Sequence, residues 1–159
     1  MAYPTLKVAN YFVARAIEST GWIHPLKLQR LVYIAQGWSL VLLAEPLLHE
    51  SILAGPNGPL ILGLDSFLQR RFGDAEVREM IGSPGDHSIH FIFETAAGQV
   101  LARTWEQYRD FTGIQLANLT HLEGSPWSEA RKSAVEGEIT VIDHEIMKRH
   151  YRLLAGLAA

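Results

Sequence analysis

Val8, Tyr11, Phe12 and Ala16 recur at steps of three and four residues. That spacing puts them on one face of a helix. It predicts an element capped by Thr5 and running to about Ser19, with Gly21 as the break. The pattern repeats in PLKLQRLVYIAQGWSLVLLA, residues 25–44, where Pro25 takes the first helical position and its missing N–H costs nothing. Leu28, Leu31, Ala35, Trp38 and Leu42 line one side, and Lys27, Arg30 and Gln36 fall away from it. Leu47 to Ala54 reads as a short strand or extended segment, and GPNGP, residues 55–59, continues no regular element.

The spacing predicts a helix from about Pro59 to Phe72, closed by Gly73, and a short one over Ala75 to Met80. GSPGD, residues 82–86, is a turn. HSIHFIFE, residues 87–94, alternates with Ile89, Phe91 and Phe93 on one side, as a strand does. A helix over about Gly98 to Phe111 follows. Thr112, Ser125 and Asp143 are side chains that cap helices, here ending near Leu122, opening at Pro126 and ending near Leu154. Ile146, Tyr151 and Leu154 form the inner face of the last one. Ile139 to Ile142 looks extended, and the tail Ala155 to Ala159 should fray. These elements predict a mainly α fold, a single compact helical domain over residues 1–159 with a short β-strand or hairpin element.

Composition narrows the function more than the fold. There is no cysteine, which excludes disulfides, thiolate chemistry and cysteine-rich zinc sites. The formal net charge is −3, and the acidic excess lies in residues 81–159. No dense basic stripe exists, which argues against a nucleic-acid partner. MAYPTLKVANYF, residues 1–12, lacks the basic start and apolar core of a signal peptide. The apolar run Leu40 to Ala44 is far short of the ~20 residues that cross a bilayer. The expectation is a cytoplasmic protein with no membrane partner.

LTHLEGSPWSEAR, residues 119–131, concentrates the unusual chemistry. Gly124 can close one helix with a positive φ, Ser125 can cap the next, and Pro126 opens it. Thr120, His121 and Trp127 are left over. Three readings stay open for them: a Trp-on-His packing corner, a recognition patch, or a catalytic or metal role for His121.

This corner resembles the LTH…SPW corner of the Panacea domain, the SocA-like antitoxin family. KLQRLVYIAQGW, residues 27–38, is similar to that family's K-L-Q-K-L-x-Y-x-A-Q helix. ILAGPNGPL, residues 52–60, resembles its segment ending in Gly-Pro-Val. The resemblance spans about Val8 to Tyr151. The sequence departs from it in having Arg30 where Lys is usual, and Ala54-Gly55-Pro56-Asn57 where an aromatic precedes Gly-Pro. The resemblance implies a mostly helical bacterial or phage protein, an antitoxin of a two-gene pair. It implies direct binding of a cognate protein toxin, by masking or by presentation to a protease. The residues it carries over as candidate toxin contacts are Lys27, Gln29, Tyr33, Gln36, Gly58, Pro59, Thr120, His121 and Trp127, with Pro126 in the same motif.

Gln29, Tyr33 and Gln36 also share one stripe, which serves either as a boundary row bonded to nearby loops or as a polar strip for a partner. Seven histidines raise the question of metal. His87 and His90 would diverge on a strand, and His144 and His150 are six apart, so neither pair makes a ligand set. No HExxH, G-x-S-x-G or phosphate-loop motif is present. The expectation is a non-enzymatic binding protein with no cofactor or metal. A prophage accessory protein that binds a host factor and a DNA-binding regulator are the alternatives, and a homo-oligomer stays open.

Overall fold

The computed structural model describes residues 2–157. Eight helices dominate it: α1 Thr5–Ser19, α2 Pro25–Leu42, α3 Leu62–Arg71, α4 His90–Phe93, α5 Ala96–Tyr108, α6 Gly113–His121, α7 Pro126–Ser133 and α8 His144–Leu154. Three short strands, β1 Leu53–Gly55, β2 Gly58–Leu60 and β3 Thr140–Val141, form an antiparallel sheet in the order β2-β1-β3. The fold is thus mainly α with one small β element, as its periodicity predicts.

Helix α2 is the axis of the molecule. It packs against α1, α5, α6 and α8, and Leu28, Leu31, Val32, Tyr33 and Ala35 are at most 1% exposed. A helix buried nearly all round explains why its polar residues fail to face water. Arg30 and Gln36, expected to fall away from the apolar side, are buried. Leu42, expected inside, is 48% exposed. Helix α8 carries a similar correction: Leu154 is exposed, and Met147 joins Tyr151 on the inner face.

Cap chemistry places the second half as expected. Thr112 Oγ1 accepts from Gln115 N, and Gln115 returns a bond to Thr112 N. Ser125 accepts from Ser128 N at 3.2 Å, and Asp143 accepts from Glu145 N at 2.7 Å. At the other end of the chain Pro4, not Thr5, precedes α1, and Thr5 is buried inside its first turn.

Three other expectations are overturned. The segment His87–Glu94 is not a strand: a 3-10 turn at Pro84–His87 runs into the short α4. Ile89 and Ile92, three apart, are buried, while Phe91 and Phe93 are 49% and 42% exposed. Burial therefore follows a helical step, and among the described residues no neighbouring strand offers the ladder that alternation requires. The helix placed from Pro59 begins at Leu62, because Gly58–Leu60 pairs with β1 instead. Ala75–Met80 is not helical; Val77 exchanges backbone bonds with Ile23. In Leu47–Ala54, expected as a short strand or extended segment, Leu53 and Ala54 enter the sheet and Leu48 makes an isolated bridge to Tyr3. The fraying expected at Ala155–Ala159 falls partly outside the described residues.

Candidate functional site: a clamped hairpin

Gly55-Pro56-Asn57-Gly58 is a two-residue hairpin turn, with Gly55 opposite Gly58 and Ala54 opposite Pro59. Proline's fixed φ suits the first turn position. Pro59 is tolerable in β2 because β2 is an edge strand, and the missing N–H faces away from β1.

Four carbonyls of this hairpin are held by side chains from three helices. Arg30 of α2 donates Nη1–H to Pro59 O at 2.8 Å and Nη2–H to Asn57 O at 3.5 Å. Nε2 of His121, at the end of α6, bonds the same Asn57 oxygen. Trp127 of α7 donates Nε1–H to Gly55 O at 2.7 Å. Arg131, also on α7, reaches Ala54 O at 3.4 Å and Glu138 O at 3.1 Å. His121 and Trp127 meet edge to face with ring centroids 4.8 Å apart. Gly58 has φ +133°, and a Cβ there would lie 2.7 Å from Arg30 Nη2 and 2.8 Å from His121 Nε2. Any side chain at position 58 would push the clamp apart.

The remaining motif residues support this arrangement from beneath. Gln29 donates to Asp65 Oδ1 at 2.8 Å, which ties α2 to α3. Gln36 is fully buried; its Oε1 accepts from Leu47 N at 2.7 Å and Leu48 N at 3.0 Å. Thr120 bonds back to Leu116 O and Ala117 O within α6, each at 3.0 Å. Lys27 donates Nζ–H to Arg109 O, and its ammonium lies 5.8 Å from the Trp105 ring centroid. Burial lowers the pKa of both Lys27 and Arg30. Arg30 keeps its buried charge by bonding two carbonyls rather than a carboxylate.

Of the nine residues expected to touch a partner, Gln29, Tyr33, Gln36, Gly58, Pro59 and Thr120 are buried. Lys27, His121 and Trp127 are half-buried, and the hairpin tip, Pro56 and Asn57, is exposed. Beside the tip lies a cleft of about 570 Å³, whose lining includes His24, Leu26, Gln29, Arg30, Asn57 and Asp65. Sequence reasoning missed Arg30 and Arg131 as clamp members. Arg30 lies inside the matching helix motif between Leu28 and Leu31, whereas Arg131, with Glu129 and Lys132 beside it, carries no local signal. Among the described residues no group of three or more His, Asp or Glu is placed to hold a metal ion.

The clamp gives a direct test of Trp127. Trp127→Phe keeps a ring against His121 and removes the bond to Gly55 O. It should cost about 1 kcal/mol in urea unfolding, the net worth of one such bond. An unmoved midpoint would mean that the indole N–H does not hold the hairpin.

The sequence segments that build the clamp are those of one family. The family described as antitoxin SocA-like, Panacea domain, matches residues 28–128, and the chain belongs to it. No curated protein and no solved structure matches the chain. The match begins within α2, takes in the hairpin, and ends just past Trp127 in α7, so the clamp falls almost entirely inside it. No helix among the described residues is long and apolar enough to cross a membrane.

Proposed function

We propose that this protein is the antitoxin of a two-gene pair and neutralises a cognate protein toxin by direct contact at the clamped hairpin. The observation that carries this reading is the convergence of the family's motif segments on one loop. Helix α2 and the α6–α7 corner hold the backbone of Ala54 to Pro59, which leaves Pro56 and Asn57 as a fixed, exposed tip. A loop held in one conformation loses less entropy when a partner binds it. Lys27, His121 and Trp127 contact the toxin with the tip. The buried residues Gln29, Tyr33, Gln36, Gly58, Pro59 and Thr120 act on binding through the shape they hold.

The protein acts by binding, without catalysis, cofactor or metal. Covering the toxin's working surface is sufficient for neutralisation, and delivery to a protease is a second use of the same contact. The test is colony formation in one host that expresses the neighbouring reading frame alone or together with this protein. Arrest by the neighbour alone, relieved on co-expression, is the expected result. A harmless neighbour, or arrest that this protein does not relieve, would overturn the antitoxin reading.

A further inference from the structure

The small sheet has two edges, and they differ. The β2 edge is closed: Pro59 brings no N–H, and its carbonyl is taken by Arg30. The β3 edge is open, with no strand beyond it among the described residues. Ile142 N donates to Ile52 O at 2.8 Å, so these two residues form a hydrogen-bonded pair. Antiparallel pairing alternates, which makes the next pair, Leu53 and Val141, a non-bonded one. The N–H and C=O of Val141 therefore point away from β1, along the free side of the sheet. A main-chain donor and acceptor set out in this way form a template for another strand.

Side chains alternate across the same strands. The inner face is packed: Ile52, Ala54, Ile61 and Ile142 are at most 2% exposed. The outer face holds Leu60, Leu53 and Val141 in one cross-strand row, and Val141 is 52% exposed. Ile139, two residues before Val141, is 54% exposed. This face runs directly into the hairpin tip, because β1 and β2 are the arms of that hairpin. The chain around β3 is acidic: residues 134–147 include Glu136, Glu138, Asp143 and Glu145 and no Lys or Arg. Glu145 belongs to a separate concavity with Lys148, Arg149 and Arg152. Glu136, Glu138 and Asp143 are exposed, and none of them makes an ion pair among the described residues. Arg131 reaches the strand from α7, but its guanidinium is held by the carbonyls of Ala54 and Glu138. A second copy pairing its β3 with this one would bring both sets of acids together, which disfavours self-association. A segment that carries Lys or Arg would gain from the same acids.

We propose that the open edge of β3 takes an extended segment of the toxin as a fourth strand. Main-chain bonds of that segment run to the N–H and C=O of Val141. One of its apolar side chains covers Ile139 and Val141, and flanking Lys or Arg residues face Glu138 and Asp143. The segment continues the hairpin-tip contact along the same sheet, and it rests on the toxin-neutralising reading. Main-chain pairing and apolar cover supply the affinity, and the acids supply orientation and association rate. The acids also deter pairing with the wrong edge strands.

The test uses the purified protein and the neighbouring frame's product, with affinity from titration calorimetry, amide hydrogen exchange from NMR and oligomeric state from light scattering. The Val141 amide should exchange freely in the protein alone and become protected in the complex, a readout that needs no variant. Ile139→Asp and Val141→Asp place a charge at exposed positions, so their melting curves should stay near the parent's. Each should weaken binding by at least about 30-fold, the loss expected of one anchoring side chain. Leu42→Asp, about 18 Å along α2 from Arg30, should bind as the parent does. Glu138→Lys combined with Asp143→Asn, which keeps a capping side chain, should slow association, and more at low salt than at high. A Val141 amide that exchanges equally fast free and bound, or parent-like binding by both Asp variants of β3 and its approach, would overturn the edge as a toxin seat and leave the antitoxin reading standing. A parent dimer that Val141→Asp converts to monomer would assign the edge to self-association and overturn the proposal. If the parent protein itself neither binds nor neutralises the product, the antitoxin reading fails and the edge assignment with it.

Discussion

Gln36→Met is expected to lower the free energy of unfolding by about 3–5 kcal/mol, because it leaves two buried backbone donors without an acceptor, each worth about 1–3 kcal/mol. Methionine is close to glutamine in size, so the loss would report hydrogen bonding and not a cavity. The donors are Leu47 N and Leu48 N, both on buried residues. They belong to the segment that bonds Tyr3 through Leu47 O and His49 N before the chain turns into β1. The amide of Gln36 also lies 3.4 Å from His144 Nε2 at the start of α8. One side chain therefore joins the central helix to the approach of the hairpin and to the last helix. A domain stable by about 5–15 kcal/mol would lose a large part of its margin. The melting temperature should fall by about 10 °C at the ~2–4 °C per kcal/mol usual for this chain length. A parent-like melting curve for Gln36→Met would show that water, or another rearrangement, satisfies these amides.

Gly98→Ala gives the second large effect, with a sign opposite to the rule of thumb. Alanine in place of a helical glycine normally adds about 1 kcal/mol of stability. Here the new Cβ would lie 2.0 Å from the Ile92 carbonyl oxygen and 2.9 Å from that of Phe93. Ile92 O has no freedom to retreat, because it accepts from Thr95 N at 3.0 Å and Thr95 Oγ1 at 2.7 Å. Thr95 is also the cap of α5, accepting from Gly98 N at 3.1 Å. Relief of the clash must break the cap or lift α4 off α5, and overpacking of this kind costs about 1–3 kcal/mol or more. A net loss of at least about 2 kcal/mol in denaturant unfolding is expected. A gain would show that α4 moves aside freely.

Both residues mark where the sequence was readable and where it was not. Local rules located the helix starts at Pro25, Thr112, Ser125 and Asp143, since a cap and its helix lie within four residues of each other. They failed where the partner is distant. Gln36 reads as a solvent-facing residue until Leu47 and Leu48 come round to meet it. Gly58–Leu60 reads as the start of a helix until β1 supplies the other half of the hairpin. HSIHFIFE has the alternation of a strand, yet it packs through Ile89 and Ile92 on a helical step because no strand among the described residues lies beside it. The candidate site was legible as motifs but not as an arrangement. Nothing local shows that Arg30, His121, Trp127 and Arg131 converge on four carbonyls of one loop, since their only common feature is that loop.

The motif segments of this chain thus meet around one loop. Tyr33 and Thr120 are buried and line a cleft beside the corner that His121 and Trp127 occupy.

The most direct measurement is the affinity of the purified protein for the neighbouring frame's product, parent against Asn57→Arg. Asn57 is exposed, and the clamp bonds its backbone carbonyl rather than its side chain. The substitution should therefore spare folding while placing a bulky charge on the hairpin tip. The account predicts a tight parent complex, and a variant that melts as the parent does but binds at least about 30-fold more weakly. Equal affinity for the two, with toxin still neutralised, would contradict the hairpin as the contact surface.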